Sequence, residues 1–381
     1  MTRTDHHRQR LTTIRLGAAA VACALLAACG GTAATDGAQQ GAEQQAPYYE
    51  GKKIKLLVPF APGGGADTTA RLLAPLLQKA IPGNPSIFIE NRGGGGSITG
   101  TNHFMEREPH DGTTILVSSG STHSAYVLQD PNVKFDFVDM KPIVGFPFGG
   151  ALYVWASTGI KKPEDIAGKT AEPLRFAGEN PSGGDLRRLL ALDLLGVKYQ
   201  AIFGYEGAGD SRIAFERGES NISTDSALPY LREIKPKVDS GEIVPIMSTG
   251  LVVNGKLERV PSLPDLMTPA ELYEKITGKP AAGPEWEANN LLVASGDSLS
   301  KALWLHGDAP AAAVDAFNQG IEKMLTDPAM RKTLDEELQG NEPLRGAALQ
   351  SAIDAMVKPS PEARKWLQDY LTRRWDYKFP S

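Results

Sequence analysis

Ile54-Lys55-Leu56-Leu57-Val58 is followed by Pro59-Phe60-Ala61-Pro62-Gly63-Gly64-Gly65-Ala66-Asp67 and then by Thr68-Thr69-Ala70-Arg71-Leu72-Leu73. An apolar run passes through a glycine loop into a helical pattern. A second glycine run, Gly93-Gly94-Gly95-Gly96-Ser97, follows Ile87-Phe88-Ile89 in the same way. In a parallel α/β sheet both loops fall at the carboxyl ends of strands, where ligands bind. Glycine lets main-chain N–H groups approach a ligand, and a helix start adds positive partial charge. Gly63, Gly64 and Gly65, together with Gly94, Gly95 and Gly96, therefore read as a cradle for a small anion. Asp67 reads as the N-cap of the helix that Thr68 opens, and Asn91 and Ser97 flank the second loop.

The same alternation continues outward. Strands are expected at 54–58, 87–89, 113–117, 152–155, 174–177, 199–203, 243–247 and 290–294. Helices are expected at 68–80, 100–108, 185–195, 210–217, 309–325 and 361–374. The period shifts from continuous apolar triplets to the i, i+3, i+4 spacing of Leu186, Leu189, Leu190 and Leu194. This predicts an α/β protein with largely parallel, buried sheets. The length exceeds the usual single-domain size, and no Gly/Ser-rich linker divides the middle. Two lobes joined by crossing segments follow, with crossings near 148–152 and 287–291. The expected division is 48–150 for the first lobe, 151–288 for the second, and 289–381 for the return and C-terminal helices.

Residues 1–28 read as an export address. Arg3, Arg8, Arg10 and Arg15 precede a short apolar run, and Leu26-Ala27-Ala28-Cys29 has the form of a lipobox. The run is too short to span a bilayer, which makes it a signal peptide. Cys29 would then carry lipid, and 29–47, lacking aromatic and branched apolar residues, would be a flexible tether. With Cys23 removed and Cys29 acylated, no thiol remains for a disulfide or a metal. The whole chain carries a formal charge of −5. Loss of four arginines and one aspartate leaves 36 basic against 44 acidic residues, or −8. Such a balance argues against nucleic acid. A local field from N–H groups can still hold an anion.

Catalytic and cofactor signatures are absent. Gly65-Ala66-Asp67 puts a carboxylate where a P-loop needs lysine. Counted from Gly63 or Gly93, the sixth position of G-x-G-x-x-G is Thr68 or Ile98. There is no G-x-S-x-G elbow, and Ser298-Leu299-Ser300-Lys301 matches S-x-x-K without its companion motifs. His103, His110, His123 and His306 show no ligand spacing, so no metal and no cofactor are expected. What remains is a set of polar strand ends. Ser119, Ser121 and Thr122 lie in the loop 118–122. Ser182 and Gly183 lie in 178–185, Tyr205 and Gly207 in 205–209, and Asp225 after 221–223. Split between two lobes, they describe a binding cleft. The enzymatic alternative is an exported hydrolase using Ser119 or Ser121 with His123, which lies in a polar loop at a strand end.

The motifs also resemble a known family, the solute-binding proteins of tripartite tricarboxylate transporters, or Bug family. The family pattern P-F-x-P-G-G-x-x-D-x-x-A-R is met by Pro59 to Arg71. E-N-R-P-G-A-G-G is matched at Glu90 to Gly96, with Gly93 in place of the proline, and D-G-Y-T-L at Asp111 to Leu116. Looser matches follow at 178–185, 205–209 and 225–229. The stretch 251–287 looks longer than usual, and 299–308 departs from the family's short turn. The resemblance implies a type II-like, two-lobed periplasmic binding protein, each lobe a mostly parallel sheet flanked by helices, with the ligand cleft between lobes. It implies a small carboxylate ligand, held between the first-lobe loops. It also implies a monomer, no enzymatic activity, and delivery to a membrane permease with a small and a large subunit. A receptor presenting its ligand to a membrane sensor is the other non-enzymatic reading.

The lipobox predicts that Cys29 is the first residue of the mature protein and is acylated. Mass spectrometry of the membrane fraction checks it; a soluble, unacylated product beginning elsewhere would remove the anchor.

Overall fold

The computed structural model describes residues 46–379 except 169, 254 and 339. The expected signal peptide, Cys29 and nearly all of the expected tether lie outside the described residues. Two five-stranded sheets form the frame. The first has the order β2-β1-β3-β12-β4, made of β1 (Lys53–Val58), β2 (Ser86–Asn91), β3 (Thr114–Ser119), β4 (Met140–Phe146) and β12 (Lys301–His306). The second has the order β7-β6-β8-β5-β9, made of β5 (Gly150–Trp155), β6 (Leu174–Gly178), β7 (Tyr199–Phe203), β8 (Ile222–Ser226) and β9 (Ile243–Ser248). A separate hairpin pairs β10 (Leu251–Val253) with β11 (Lys256–Glu258).

Both sheets are mixed rather than wholly parallel, and the odd strand in each is the one that crosses over. β4 ends its sheet at the cleft, and only residues 147–149 separate it from β5. Entering from the cleft side, β5 runs antiparallel to both β8 and β9. β12 returns in the same manner and runs antiparallel to β3 and β4. Consequently the ends of β1, β3, β6 and β8 and the starts of β5 and β12 share one edge. Polar residues collect there because strand ends leave main-chain groups without ladder partners.

Several expectations fail for physical reasons. Residues 290–294 are not a strand; they belong to the helix Pro284–Gly296. That helix packs against the helices Gly120–Val127, Leu186–Leu194, Gly346–Val357 and Pro361–Trp375. An apolar run buried on all sides cannot be told from a buried strand by its period. β4 carries Pro142 and Gly145 and β8 is rich in hydroxyls, so neither shows an unbroken apolar signature, whereas β12, bulged at Leu303/Trp304, has a four-residue apolar run that the sequence reading passed over. The loop expected at 118–122 splits between the end of β3 and the helix Gly120–Val127.

The largest apolar cluster runs from Ile54, Leu56, Ile115 and Phe317 to Tyr153 and Phe215, joining the two sheets' interiors. A second cluster, with Leu152, Phe176, Leu189 and Ile246, fills the other face of the second sheet. The C-terminal helix Pro361–Trp375 lays Leu367 and Leu371 on Leu186, Leu190 and Leu292, beside the second sheet. No described helix is long and apolar enough to cross a membrane.

Candidate functional site: a charged cavity between the sheets

The first glycine loop is set by Asp67. The N-cap of the helix Gly65–Ala80 is Gly64, and Asp67 sits inside the first turn rather than at the cap. Its Oδ2 accepts from Gly63 N–H and Arg71 Nε, both at 2.9 Å, and its Oδ1 accepts from Asn91 Nδ2 at 3.1 Å. Burial alone would raise this carboxyl, but the bonds from Arg71, Gly63 and Asn91 outweigh it and hold Asp67 below its ordinary range. Asp67 and Asn91 thus lock the loop to the end of β2. Gly64 has an ordinary extended conformation (φ −79°). Gly65 is glycine for reasons of space. A Cβ there would lie 3.0 Å from Ser226 Cβ and 3.2 Å from Lys301 Cε.

Ser119 ends β3 and caps the next helix, its Oγ accepting from Ser121 N–H at 3.2 Å while its own N–H donates to Thr122 Oγ1 at 3.2 Å. Between the sheets these starts enclose a cavity of about 60 Å³. The first-sheet wall is Phe60, Gly64, Gly65, Ala66, Ser119, Gly120, Ser121, Ser300 and Lys301. The opposite wall is Glu179, Gly184, Asp185, Arg187, Arg188, Ala208, Thr224, Asp225 and Ser226.

The charges on these walls dominate its chemistry. Arg187 Nε lies 2.8 Å from Asp297 Oδ2, and Arg188 Nη2 lies 3.7 Å from Asp297 Oδ1. Arg188 Nη1 also donates to Gly184 O at 2.7 Å. Asp225 is occupied as well, accepting from Arg212 Nη1 and from Tyr153 OH, both at 2.9 Å. Burial pushes Asp225 up to about 6 despite the nearby Arg212. Lys301 is 5 % exposed, and burial together with the Arg187 charge pulls its ammonium down to about 7. Burial and the Asp185 charge push Glu179 up to about 8.

Of the residues singled out from sequence, Gly64, Gly65, Ser119, Ser121 and Asp225 line this cavity. Gly63, Asp67 and Thr68 face a neighbouring groove with Arg212 and Arg232. Gly95 and Ser182 face a third depression with Asn180 and Tyr377. The second glycine run is at a seam: a Cβ at Gly93 would lie 3.5 Å from Glu206 O, and one at Gly96 would run into Asn180. Gly94 has φ +123°, with a Cβ position 3.1 Å from Thr99 Oγ1. Ser97 Oγ donates to Thr122 Oγ1 at 2.9 Å. Ser182 Oγ donates to Asp130 Oδ2 at 2.8 Å, and Gly183 packs on Asn180. Tyr205 OH donates to Glu219 Oε2 at 3.3 Å, and Gly207 packs near Ala61.

Sequence reading passed over Glu179, Asp185, Arg187, Arg188, Ser300 and Lys301 as site residues. A signal existed. Arg187-Arg188 stand at the start of a leucine-rich helix, and Lys301 heads the buried run Ala302-Leu303-Trp304-Leu305. Charges in apolar runs need partners, and ligands are one kind of partner.

His123 is neither in a loop nor at the cavity. It is fully buried in the helix Gly120–Val127, with Nδ1 donating to Ser295 O at 3.1 Å. Its Nε2 meets Ser118 Oγ at 2.8 Å, not Ser119 or Ser121. The hydrolase arrangement is therefore not assembled. In the S-x-x-K run, Ser298 Oγ accepts from Val252 N–H at 2.8 Å, and Lys301 meets Ser300 instead. At the far end of β12, ligand-type atoms of His110, His306 and Asp308 lie within 4.8 Å of one another, away from the cavity.

Two mixed sheets with a polar cavity between their facing strand ends form the two-lobed α/β fold of periplasmic binding proteins. No protein-family model matches the chain. BugT of Bordetella pertussis is 36% identical over 121 residues, a match spanning 31% of this chain and 36% of BugT. A UPF0065 protein of the same organism is 25% identical over 339 residues, covering 86% of this chain and 89% of the relative. In fold, the chain is similar to the periplasmic binding protein BugD (TM-score 0.63, 21% identity, 84% of this chain and 97% of that one). It is equally similar to an R. palustris protein with adipate (TM-score 0.64, 22% identity, 83% and 97%). In sequence the chain is thus similar to Bug and UPF0065 proteins, and in fold to periplasmic binding proteins.

The burial of His123 has a pH signature. Burial holds its folded-state pKa near 3, although the bond to Ser295 works in the opposite sense. The unfolded chain takes up that proton near pH 6.5, so this contribution to stability is present above 6.5 and is lost as pH falls toward 3. The slope is at most about 1.4 kcal/mol per pH unit. Denaturant unfolding between pH 7.5 and 4 should show a shallower acid loss for His123→Gln than for wild type. Parallel curves would contradict a neutral, buried His123.

Proposed function

We propose that the protein is a lipid-anchored extracytoplasmic receptor. It captures a small organic carboxylate between its sheets and passes it unchanged to a membrane permease with a small and a large subunit. The observation that carries this reading is the convergence of hydrogen-bond donors on the first-sheet wall. The first-turn N–H groups of Gly65 and Ala66 have no intrahelical acceptor, the Ser121 hydroxyl is adjacent, and the buried Lys301 ammonium faces the same space. A carboxylate accepts from all of them, and the helix start adds favourable field. The adipate found in the R. palustris relative is a ligand of this kind. Among the described residues no serine–histidine pair lines the cavity, and the ligand is read as leaving as it arrived. Anchoring at Cys29 and the permease partnership rest on the lipobox and on the family resemblance.

Closure supplies the grip. Arg212 Nη2 on the second-sheet side donates to Gly63 O at 3.1 Å, and Arg187 Nη1 donates to Gly120 O at 3.2 Å. Such contacts form only when the two sides approach, as in hinge closure around a ligand.

A thermal-shift panel of organic acids should identify a stabilising ligand, recovered chemically unchanged after incubation. Gly65→Ala would wedge a methyl group between Ser226 and Lys301 at the closing seam. Overpacking of this kind costs about 1–3 kcal/mol, so affinity should fall by roughly tenfold or more with the circular dichroism spectrum preserved. Unchanged affinity in the folded variant, or steady turnover of the acid, would contradict the receptor reading.

A further inference from the structure

The end of the first sheet opposite the cavity carries a second polar cluster. β12 ends at His306, and Asp308 follows two residues on, before the helix Ala311–Thr326. His110 belongs to the turn between the helix Ile98–Arg107 and β3. His110 and Asp308 stand 198 positions apart in the chain. Even so, a ring nitrogen of each histidine and a carboxylate oxygen of Asp308 all lie within 4.8 Å of one another. No spacing along the chain reveals the group; the return of β12 beside β3 assembles it.

His306 is 2 % exposed, and its ring is stacked by Phe104 at 4.1 Å between centroids and by His110 at 3.8 Å. Its Nε2 is buried and has no hydrogen-bond partner among the described residues. A buried polar atom left unsatisfied is costly, so this nitrogen is free to coordinate and has reason to. His110 Nδ1 meets Asp308 Oδ2 at 2.8 Å, and Asp308 forms no ion pair with a lysine or arginine among the described residues. The backbone on both sides is pinned. Gly307 N–H donates to Asp139 O at 2.9 Å, Ala309 N–H to His306 O at 3.0 Å, and Tyr48 OH to Asp111 O at 2.6 Å. The side chains of His110 and Asp308, by contrast, are exposed and able to adjust.

Two imidazoles and one carboxylate suit a borderline divalent cation such as zinc, whereas magnesium and calcium take oxygen ligands. We propose that His306, His110 and Asp308 form a metal site of the zinc class that staples the His110 turn to the end of β12. Around a tetrahedral ion with bonds of about 2.1 Å, donor atoms lie about 3.4 Å apart, so the three draw inward on binding. Rings stacked at 18° between planes do not aim two nitrogens at one point. The buried His306 therefore stays in place, and the exposed His110 turns off its face toward the ion. Three protein ligands leave the fourth position to water. Lys301 and the cavity lie at the other end of β12, so the site is independent of the carboxylate reading.

Titration calorimetry of the untagged, chelator-treated protein should show uptake of one equivalent of Zn(II) and none of Mg(II) at the same concentration. Because the ion binds only the folded chain, the thermal midpoint should rise with Zn(II). His110→Ala and Asp308→Asn alter exposed side chains and should leave the circular dichroism spectrum unchanged. Each should weaken uptake about tenfold or more, since even an outer partner of a metal ligand is worth about 10- to 100-fold. X-ray absorption at the zinc edge should show two imidazoles on the bound ion. Absence of saturable uptake by the wild-type protein would overturn the site. So would uptake that survives both variants, or an ion surrounded by oxygen alone.

Discussion

The buried guanidinium of Arg187 is the constraint around which the site is arranged. It lies at 2.8 Å from Asp297 and donates to Gly120 O and Ser124 Oγ on the first-sheet side. Two glycines make room for it: a Cβ at Gly120 would lie 2.9 Å from Arg187 Nη2, and one at Gly296 would lie 2.7 Å from Cζ. Burial pulls this group down to about 10, yet Asp297 keeps it charged. A guanidinium removed from water is tolerable only when paired and hydrogen-bonded, and removing one partner of such a pair typically costs about 3–5 kcal/mol. Because Asp297 answers Arg187 and, more distantly, Arg188, those two charges belong to the frame. Lys301 and Glu179 face the same cavity without an ion-pair partner of their own.

Topology then determines which chemistry faces which wall. β12 re-enters the first sheet from the cleft side, so its first residue, Lys301, lies in register with Ser119 at the end of β3 and with Phe146 at the end of β4. A lysine at the other end of that strand, position 306, would be one strand length away. β6 runs the other way relative to the cleft and delivers Glu179 just past its last residue. The opposition of cation and carboxyl is thus a consequence of one antiparallel strand per sheet.

Much of this was legible in the residues themselves. The run 54–73 reads correctly as strand, glycine loop and helix because apolar continuity, glycine and an i, i+3, i+4 pattern are local signals. The helices near 68–80, 185–195 and 309–325 were equally clear. Where burial comes from all sides, local pattern misleads: residues 290–294 look like a strand and form a helix among helices. Polar residues in the interior mislead in the opposite direction. His123 looks like a loop residue, but Ser118 and Ser295, the latter far away in sequence, satisfy its ring. The cavity's charged residues were the least legible. Lys301 and Glu179 become neighbours of one space only through the crossing strands, and no spacing along the chain encodes that meeting. The glycine run 93–96 shows the same limit, since its packing on Asn180 and Glu206 depends on how the two sides close.

A crystal structure of the protein grown with its tightest-binding acid tests the central claim most directly. The account predicts a ligand carboxylate within hydrogen-bonding distance of Lys301 Nζ and the Gly65 N–H. A ligand seated elsewhere, or one whose carboxylate lies against Glu179 with Lys301 unengaged, would contradict it.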